Sequence, residues 1–431
     1  MKKIFLNNET TAQVLQILKN RGGSAEGFEK TVADIVSDVR SRGDEALLSY
    51  TEKFDHCALD ESSIRVTPEE IEEALEQVDA NLKRIMQRSA DRIRDYHEKQ
   101  VRQSIFSTSP DGSILGQRIT AIERVGVYVP GGKAAYPSST LMNIIPAKVA
   151  GVDNIIVCTP PGKDGKIAPS ILAAAHIAGA DVIYKVGGAQ AIAAMAYGTK
   201  SIPKVDKIVG PGNIFVALAK KTVYGDVSID SVAGPSEVLV LADETAKADF
   251  VAADLLSQAE HDEMASAILV TTCEELACRV SDCIDGMLDE RGRRGIIEKS
   301  LEDFGFLLIA KDMEQACDMV NAIASEHLEI ITKDPWQTMT AIRNAGAIFL
   351  GEYSCEPLGD YMAGPNHVLP TNGTARFFSP LSVDDFIKKS SVISFSQEAL
   401  SILHEDIECF ARAEGLDAHA ASVAQRFKED D

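Results

Sequence analysis

Lys207-Ile208-Val209-Gly210-Pro211-Gly212-Asn213 runs directly into Ile214-Phe215-Val216-Ala217-Leu218-Ala219. A short apolar run ends in a Gly-Pro-Gly turn, and a helix-forming stretch follows it. The same strand–turn–helix unit recurs on both sides. Upstream, Gly126-Val127-Tyr128-Val129 reads as a strand, as do residues 154–159 and 182–186, and residues 170–178, 189–197 and 214–223 read as helices. Downstream of a break at Ala233-Gly234-Pro235 the alternation restarts. Strands are predicted over 237–242, 266–271, 306–310, 328–332 and 347–350, with helices over 250–260 and 313–325. Continuous Val/Ile-rich strands separated by helices predict parallel sheets covered on both faces. The fold class is therefore α/β, with two Rossmann-like parallel-sheet domains and small helical appendages at both ends.

The flanking segments read differently. Residues 28–54 and 68–101 are charge-rich with apolar residues three to four apart, the pattern of amphipathic helices. Thr67-Pro68-Glu69-Glu70 is a helix start, with a Thr cap, Pro in the first turn and acids behind it. After residue 381 the chain is again helical, periodic over 396–414, stopped by Gly415 and resumed over 417–428. The expected division is a 1–27 arm, a first α/β domain of 28–127 with 237–380, a second of 128–236, and a 381–431 appendage.

Composition narrows the function. The 431 residues carry 43 Lys+Arg against 65 Asp+Glu, a formal net charge of −22. So acidic a chain repels phosphate backbones and anionic lipid, which argues against nucleic-acid and membrane-surface partners. The eight cysteines form no C-x-x-C pair and read as reduced thiols of a cytoplasmic protein. The N-terminus lacks the apolar stretch of a signal peptide, and no apolar run is long enough to span a bilayer.

Three strand ends are glycine-rich: Val129-Pro130-Gly131-Gly132-Lys133, Val186-Gly187-Gly188-Ala189-Gln190, and Val209-Gly210-Pro211-Gly212-Asn213. None is a G-x-G-x-x-G or G-x-x-x-x-G-K-[ST] motif. Any one of them alone reads as a tight turn. Together, beside Tyr128, Gln190 and Asn213, they read as a ligand cleft at the carboxyl ends of strands, where open α/β sheets bind ligands. A nucleotide there would be held by backbone N–H groups and amides.

Gln258 and His261 are three apart at the end of a predicted helix and share a face. Alone they read as surface capping. With Asp360, on a loop after Glu356-Pro357-Leu358-Gly359, and His419 they would make a nitrogen/oxygen set suited to Zn²⁺. Ser325-Glu326-His327-Leu328-Glu329 lies where a helix hands over to a strand. Adjacent Glu326 and His327 are expected to point apart, either as a solvated helix end or as two bases flanking one substrate. His367 sits in a Pro/Gly loop.

Taken in order, these stretches resemble the histidinol dehydrogenase family. The resemblance runs through residues 126–139, 186–194, 207–213, 233–239, 254–261, 325–329, 359–371 and 414–419. It implies a zinc- and NAD-dependent oxidation of L-histidinol to L-histidine through the aldehyde. It implies one zinc ion per subunit on Gln258, His261, Asp360 and His419, with Glu326 and His327 as general bases. Substrate contacts would fall on Ser236, Gln258, His261, His327, Glu356, Asp360, His367, Glu414 and His419, and NAD contacts on Tyr128, Gln190 and Asn213. It further implies that 28–127 with 237–380 carries the catalytic and metal site, that 128–236 binds NAD, and that the 381–431 appendage reaches a partner subunit in a homodimer in which Glu414 and His419 cross the interface. The alternatives are a paralogue oxidising another small alcohol, such as a sulfonated diol, and a non-catalytic binding protein. The carboxylate of Glu356 argues against an anionic substrate, and the paired bases argue against a mere binding role.

Overall fold

The computed structural model describes residues 1–21, 27–131, 135–289 and 292–428. Gly132 and Lys133 of the first glycine-rich loop thus lie outside the described residues. The strands are β1 (Lys2–Phe5), β2 (Ile105–Thr108), β3 (Ile114–Ala121), β4 (Arg124–Tyr128), β5 (Asn154–Thr159), β6 (Val182–Lys185), β7 (Lys207–Val209), β8 (Ser228–Ile229), β9 (Glu237–Ala242), β10 (Ser266–Thr271), β11 (Gly305–Ile309), β12 (His327–Ile331), β13 (Ala347–Leu350) and β14 (Ile387–Ser394). Residues Met1–Gln100 with Ile122–Phe386 form one compact unit, and Val101–Ala121 with Ile387–Asp431 form another.

The first unit holds two parallel sheets. One has the order β1-β11-β10-β9-β12-β13. Every residue of β9, β10, β11 and β12 is buried, because helices cover both faces. The period of two sorts these residues. Val238, Val240 and Ala242 pack with Leu255, Leu276, Val280 and Ile297 from the helices Ala248–Ala259, Glu274–Leu288 and Arg294–Phe304. Leu239 and Leu241 point the other way, onto Val14, Ala316 and Val320 of the helices Asn8–Asn20 and Met313–Ile323. The N-terminal arm is therefore not helical alone: β1 extends this sheet by pairing in parallel with β11.

The second sheet has the order β6-β5-β4-β7-β8, all parallel. The chain runs outward from β4 through β5 to β6, then returns to β7 on the other side of β4. That reversal makes the β4/β7 crevice a topological switch point. The helices Phe28–Arg42 and Asp44–Asp55 pack on this sheet, through Val32, Ile35, Val36, Val39, Ala46 and Leu47. The expected division places residues 28–55 with the 237–380 domain, and the structure corrects this, because an amphipathic stripe shows that a helix has a core, not which core. Thr67 caps its helix as expected, reciprocating with Glu70 in a capping box.

The second unit corrects the reading of 381–431 as purely helical. It contains an antiparallel sheet, β14-β3-β2, besides the helices Gln397–Ser401, His404–Ala413 and Asp417–Ala424. Among the described residues no helix is long and apolar enough to cross a membrane.

Candidate active site

A cavity of about 410 Å³ opens between the two sheets of the first unit. From the five-stranded sheet it is lined by Pro130 and by Gly210, Pro211, Gly212 and Asn213, which follow the carboxyl ends of β4 and β7. This is the switch-point location expected. The six-stranded sheet contributes the opposite ends of its strands: Ser236 precedes β9, and Glu326 and His327 stand at the start of β12. Carboxyl ends of one sheet thus face amino ends of the other across one cavity.

The two candidate bases meet at Glu237, opposite them on the neighbouring strand. Glu237 N–H donates to Glu326 Oε2 at 2.9 Å, and Glu326 N–H donates to Glu237 Oε2 at 3.0 Å. His327 Nδ1 lies 2.9 Å from the Glu237 carbonyl oxygen. A carbonyl only accepts, so Nδ1 carries the proton and Nε2 is left as the basic nitrogen. Burial pushes the His327 imidazole down to about 4, so the ring is neutral at physiological pH. Burial, then the neighbouring Glu237 carboxylate, holds the Glu326 carboxyl well above the usual range. The expectation that Glu326 and His327 point apart is corrected. His327 Nδ1 is 3.7 Å from Glu326 Oε2. Glu326 precedes the strand, so the alternation of strand side chains does not apply to it.

Metal donors line the same cavity. Gln258, His261 and Asp360 are all on its wall. Gln258 is 1% exposed, and neither of its amide atoms has a hydrogen-bond partner among the described residues. A buried amide left unpaired costs about 1–3 kcal/mol. A metal ion bound at Oε1 would satisfy the acceptor half of that amide. Donor atoms of His327, Glu356 and Asp360 also lie within 4.8 Å of one another. These nitrogen and oxygen donors suit Zn²⁺.

Asp360 is not on an open loop. It lies in a single π-helical turn, Gly359–Ala363, a form of helix that recurs at functional sites. Ser89 Oγ donates to the Tyr361 carbonyl at 2.6 Å and fixes that turn. Gly364 closes it at φ +108, where a Cβ would stand 2.8 Å from the Arg92 carbonyl oxygen. His367 Nδ1 reaches Asp360 Oδ1 at 3.3 Å, and its Nε2 is 3.2 Å from Ser139 Oγ. Glu356 is held by its backbone, its N–H donating to Glu329 Oε1 at 2.8 Å.

The site is crowded with buried acids. Burial raises Asp254 to about 6. Burial, then the Asp360 carboxylate, raises Glu356 to about 8. Glu329 is pushed well above its usual range by burial and by Asp254. A raised folded-state pKa contributes stability that is complete below the unfolded carboxylate range and is lost as pH rises through the folded value. His327, depressed instead, contributes no pH dependence above its unfolded value. Chelated, metal-free protein is therefore expected to lose melting temperature between about pH 6 and about pH 9, and added Zn²⁺ to remove most of that loss. A metal-free melting temperature that stays flat or rises over this window contradicts the assignment.

The cofactor candidates are placed unevenly. Asn213 stands on the cavity wall, where its side chain caps the helix Ile214–Val223 by accepting from Phe215 and Val216 N–H. Tyr128 and Gln190 are buried and do not line the cavity. The Tyr128 hydroxyl accepts the Gly188 N–H at 3.1 Å, and Gln190 Oε1 is unpaired among the described residues. Tyr128 thereby supports the Gly187-Gly188 loop, where the helix Gly188–Tyr197 begins, and Gln190 lies in the first turn of that helix. The buried, unpaired Oε1 of Gln190 at this helix start fits a ligand-binding loop. Glu414 and His419 stand on the second unit, both exposed.

Sequence reasoning missed Glu237, Glu329 and Arg21. The available signal was a carboxylate within an otherwise apolar, fully buried strand, in Glu237-Val238-Leu239-Val240 and Leu328-Glu329-Ile330-Ile331. Such a group is retained only where it has partners.

Known proteins resemble this chain over nearly its whole length. Residues 18–427 match the family model described as histidinol dehydrogenase. Histidinol dehydrogenase of Bacillus subtilis (strain 168) is 54% identical over 415 residues, covering 96% of this chain and 97% of the relative. That of Clostridium acetobutylicum is 54% identical over 414 residues, covering 96% of each. The crystal structure of histidinol dehydrogenase from Elizabethkingia anophelis superposes with a TM-score of 0.94 at 38% identity, covering 99% of this chain and 98% of that one. By these full-length matches in sequence and backbone, the chain belongs to the histidinol dehydrogenase family.

Proposed function

We propose that this oxidoreductase converts L-histidinol to L-histidine through L-histidinaldehyde, in two oxidations that each reduce one NAD⁺. The observation that carries this reading is the cavity where a neutral His327, Glu326 and the donors Gln258, His261 and Asp360 converge. Zinc held by those donors and by His419 of the partner subunit would supply a cationic template for the substrate's imidazole and amine. Ser236, Glu356, His367 and Glu414 would complete the substrate site, and Tyr128, Gln190 and Asn213 the NAD site. His327 Nε2 takes the hydroxyl proton as the first hydride leaves the carbinol carbon. Only the hydrated aldehyde has a second hydride to give, so Glu326 takes a proton from the attacking water while the protonated His327 returns its proton to the aldehyde oxygen, which leaves the ring neutral again. His327 then accepts the gem-diol proton in the second oxidation.

A homodimer accounts for Glu414 and His419, which are exposed on a small unit bearing the exposed apolar side chains Ile393, Ile402 and Phe410. Eight free cysteines support a cytoplasmic setting. Glu356 favours an amine-bearing substrate, because a carboxyl so strongly raised is relieved by a neighbouring cation. The test is NADH formation from L-histidinol beside a sulfonated diol. Turnover confined to L-histidinol is expected; the reverse preference would move the chain to the paralogous activity.

A further inference from the structure

We propose that the buried Arg21–Glu237 ion pair is the positioning device for both candidate bases; this rests on the function proposed above. Arg21 closes the helix Asn8–Asn20, far in sequence from the site, yet is 2% exposed. Its guanidinium donates to Glu237 Oε1 and, at 3.2 Å, to the Pro235 carbonyl. One side chain thereby clamps the segment 235–237 at the mouth of β9.

Glu237 then holds the bases with its N–H, its carbonyl and one carboxylate oxygen. Its N–H carries the Glu326 carboxylate, its carbonyl carries His327 Nδ1, and its Oε2 accepts the Glu326 N–H. Its Oε1 also accepts the Asn372 N–H at 3.1 Å, tying in the segment after the His367 loop. All the side-chain bonds of Glu237 are accepted ones, so a carboxylate fits and an amide does not: the NH₂ of a Gln would face an N–H donor. Neither Arg21 nor Glu237 lines the cavity. They act through Glu326 and His327 without touching substrate, and an error of about 1 Å in a reacting group is enough to cost about a hundredfold in rate.

The discriminating variant is the double substitution Arg21→Met with Glu237→Gln. Each single change strands one buried charge and lowers the melting temperature; the double change removes both charges and recovers most of that loss, short of the amide mismatch. A purely structural pair would then return wild-type kcat. A positioning pair is expected to leave kcat for NADH formation from L-histidinol about 10²-fold low. KM should stay within about threefold and zinc content should not change, because no ligand is touched. Should the double variant fail to fold, Glu237→Asp is read instead: it keeps both charges, withdraws the carboxylate by one methylene, and is expected to cost about tenfold in kcat. Wild-type kcat in the folded variant overturns the proposal. A crystal structure of the substrate-free variant answers without turnover: Glu326 and His327 displaced support it, both unmoved overturn it. Wild-type protein that forms no NADH from L-histidinol would instead sink the function reading.

Discussion

His327→Asn is expected to lower kcat for NADH formation from L-histidinol by about 10³-fold, within the range for removing a general base. The loss should appear equally with L-histidinol and with L-histidinaldehyde as starting substrate, because His327 serves both oxidations. The reason is structural. The Glu237 carbonyl occupies Nδ1, so Nε2 is the one basic nitrogen, and burial keeps the ring neutral. Asn cannot accept a proton at that position. Glu326→Gln is the internal control: it should spare the first oxidation and slow the second, since hydration of the aldehyde lies between them. Half-reaction kinetics check both. Equal loss in both halves for Glu326→Gln would remove its assignment as the base for water.

Removal of metal is expected to have an effect of similar size. Chelation should abolish turnover and lower the melting temperature, and Zn²⁺ should restore both. His261→Asn should lower zinc content directly, as should His419→Asn if the partner subunit completes the set. The unpaired amide of buried Gln258 makes the structural case, because nothing among the described residues satisfies it. Metal analysis beside activity decides the matter. Full turnover in protein stripped of metal would contradict the role of these donors.

The parallel sheets were legible because strands buried on both faces are continuous apolar runs, as in Asn154-Ile155-Ile156-Val157-Cys158-Thr159, and they alternate with helix-forming stretches. The antiparallel sheet was not. β14 reads Ile387-Lys388-Lys389-Ser390-Ser391-Val392, with little alternation, and its partner strand lies at the other end of the chain in sequence. β1 is a four-residue edge strand with two lysines, and its partner β11 is equally remote. The motifs Glu326-His327 and Gln258-Ala259-Glu260-His261 were visible in the sequence, and the fold brings Gln258, His261, Glu326 and His327 to one cavity. The role of Glu237 was not legible: its carboxylate in an apolar strand was visible, but only the pairing of β9 with β12 brings it to Glu326 and His327. Asn213 illustrates a third case: its residue type suits a ligand contact, and the fold also gives it a helix to cap.

The central claim is that one site carries out both oxidations without releasing the aldehyde. The measurement that tests it most directly is the amount of NADH formed per L-histidinol consumed, with excess NAD⁺. The account predicts two, with L-histidine as product and no free aldehyde trapped by a carbonyl reagent. A yield of one, with L-histidinaldehyde released into solution, would contradict it.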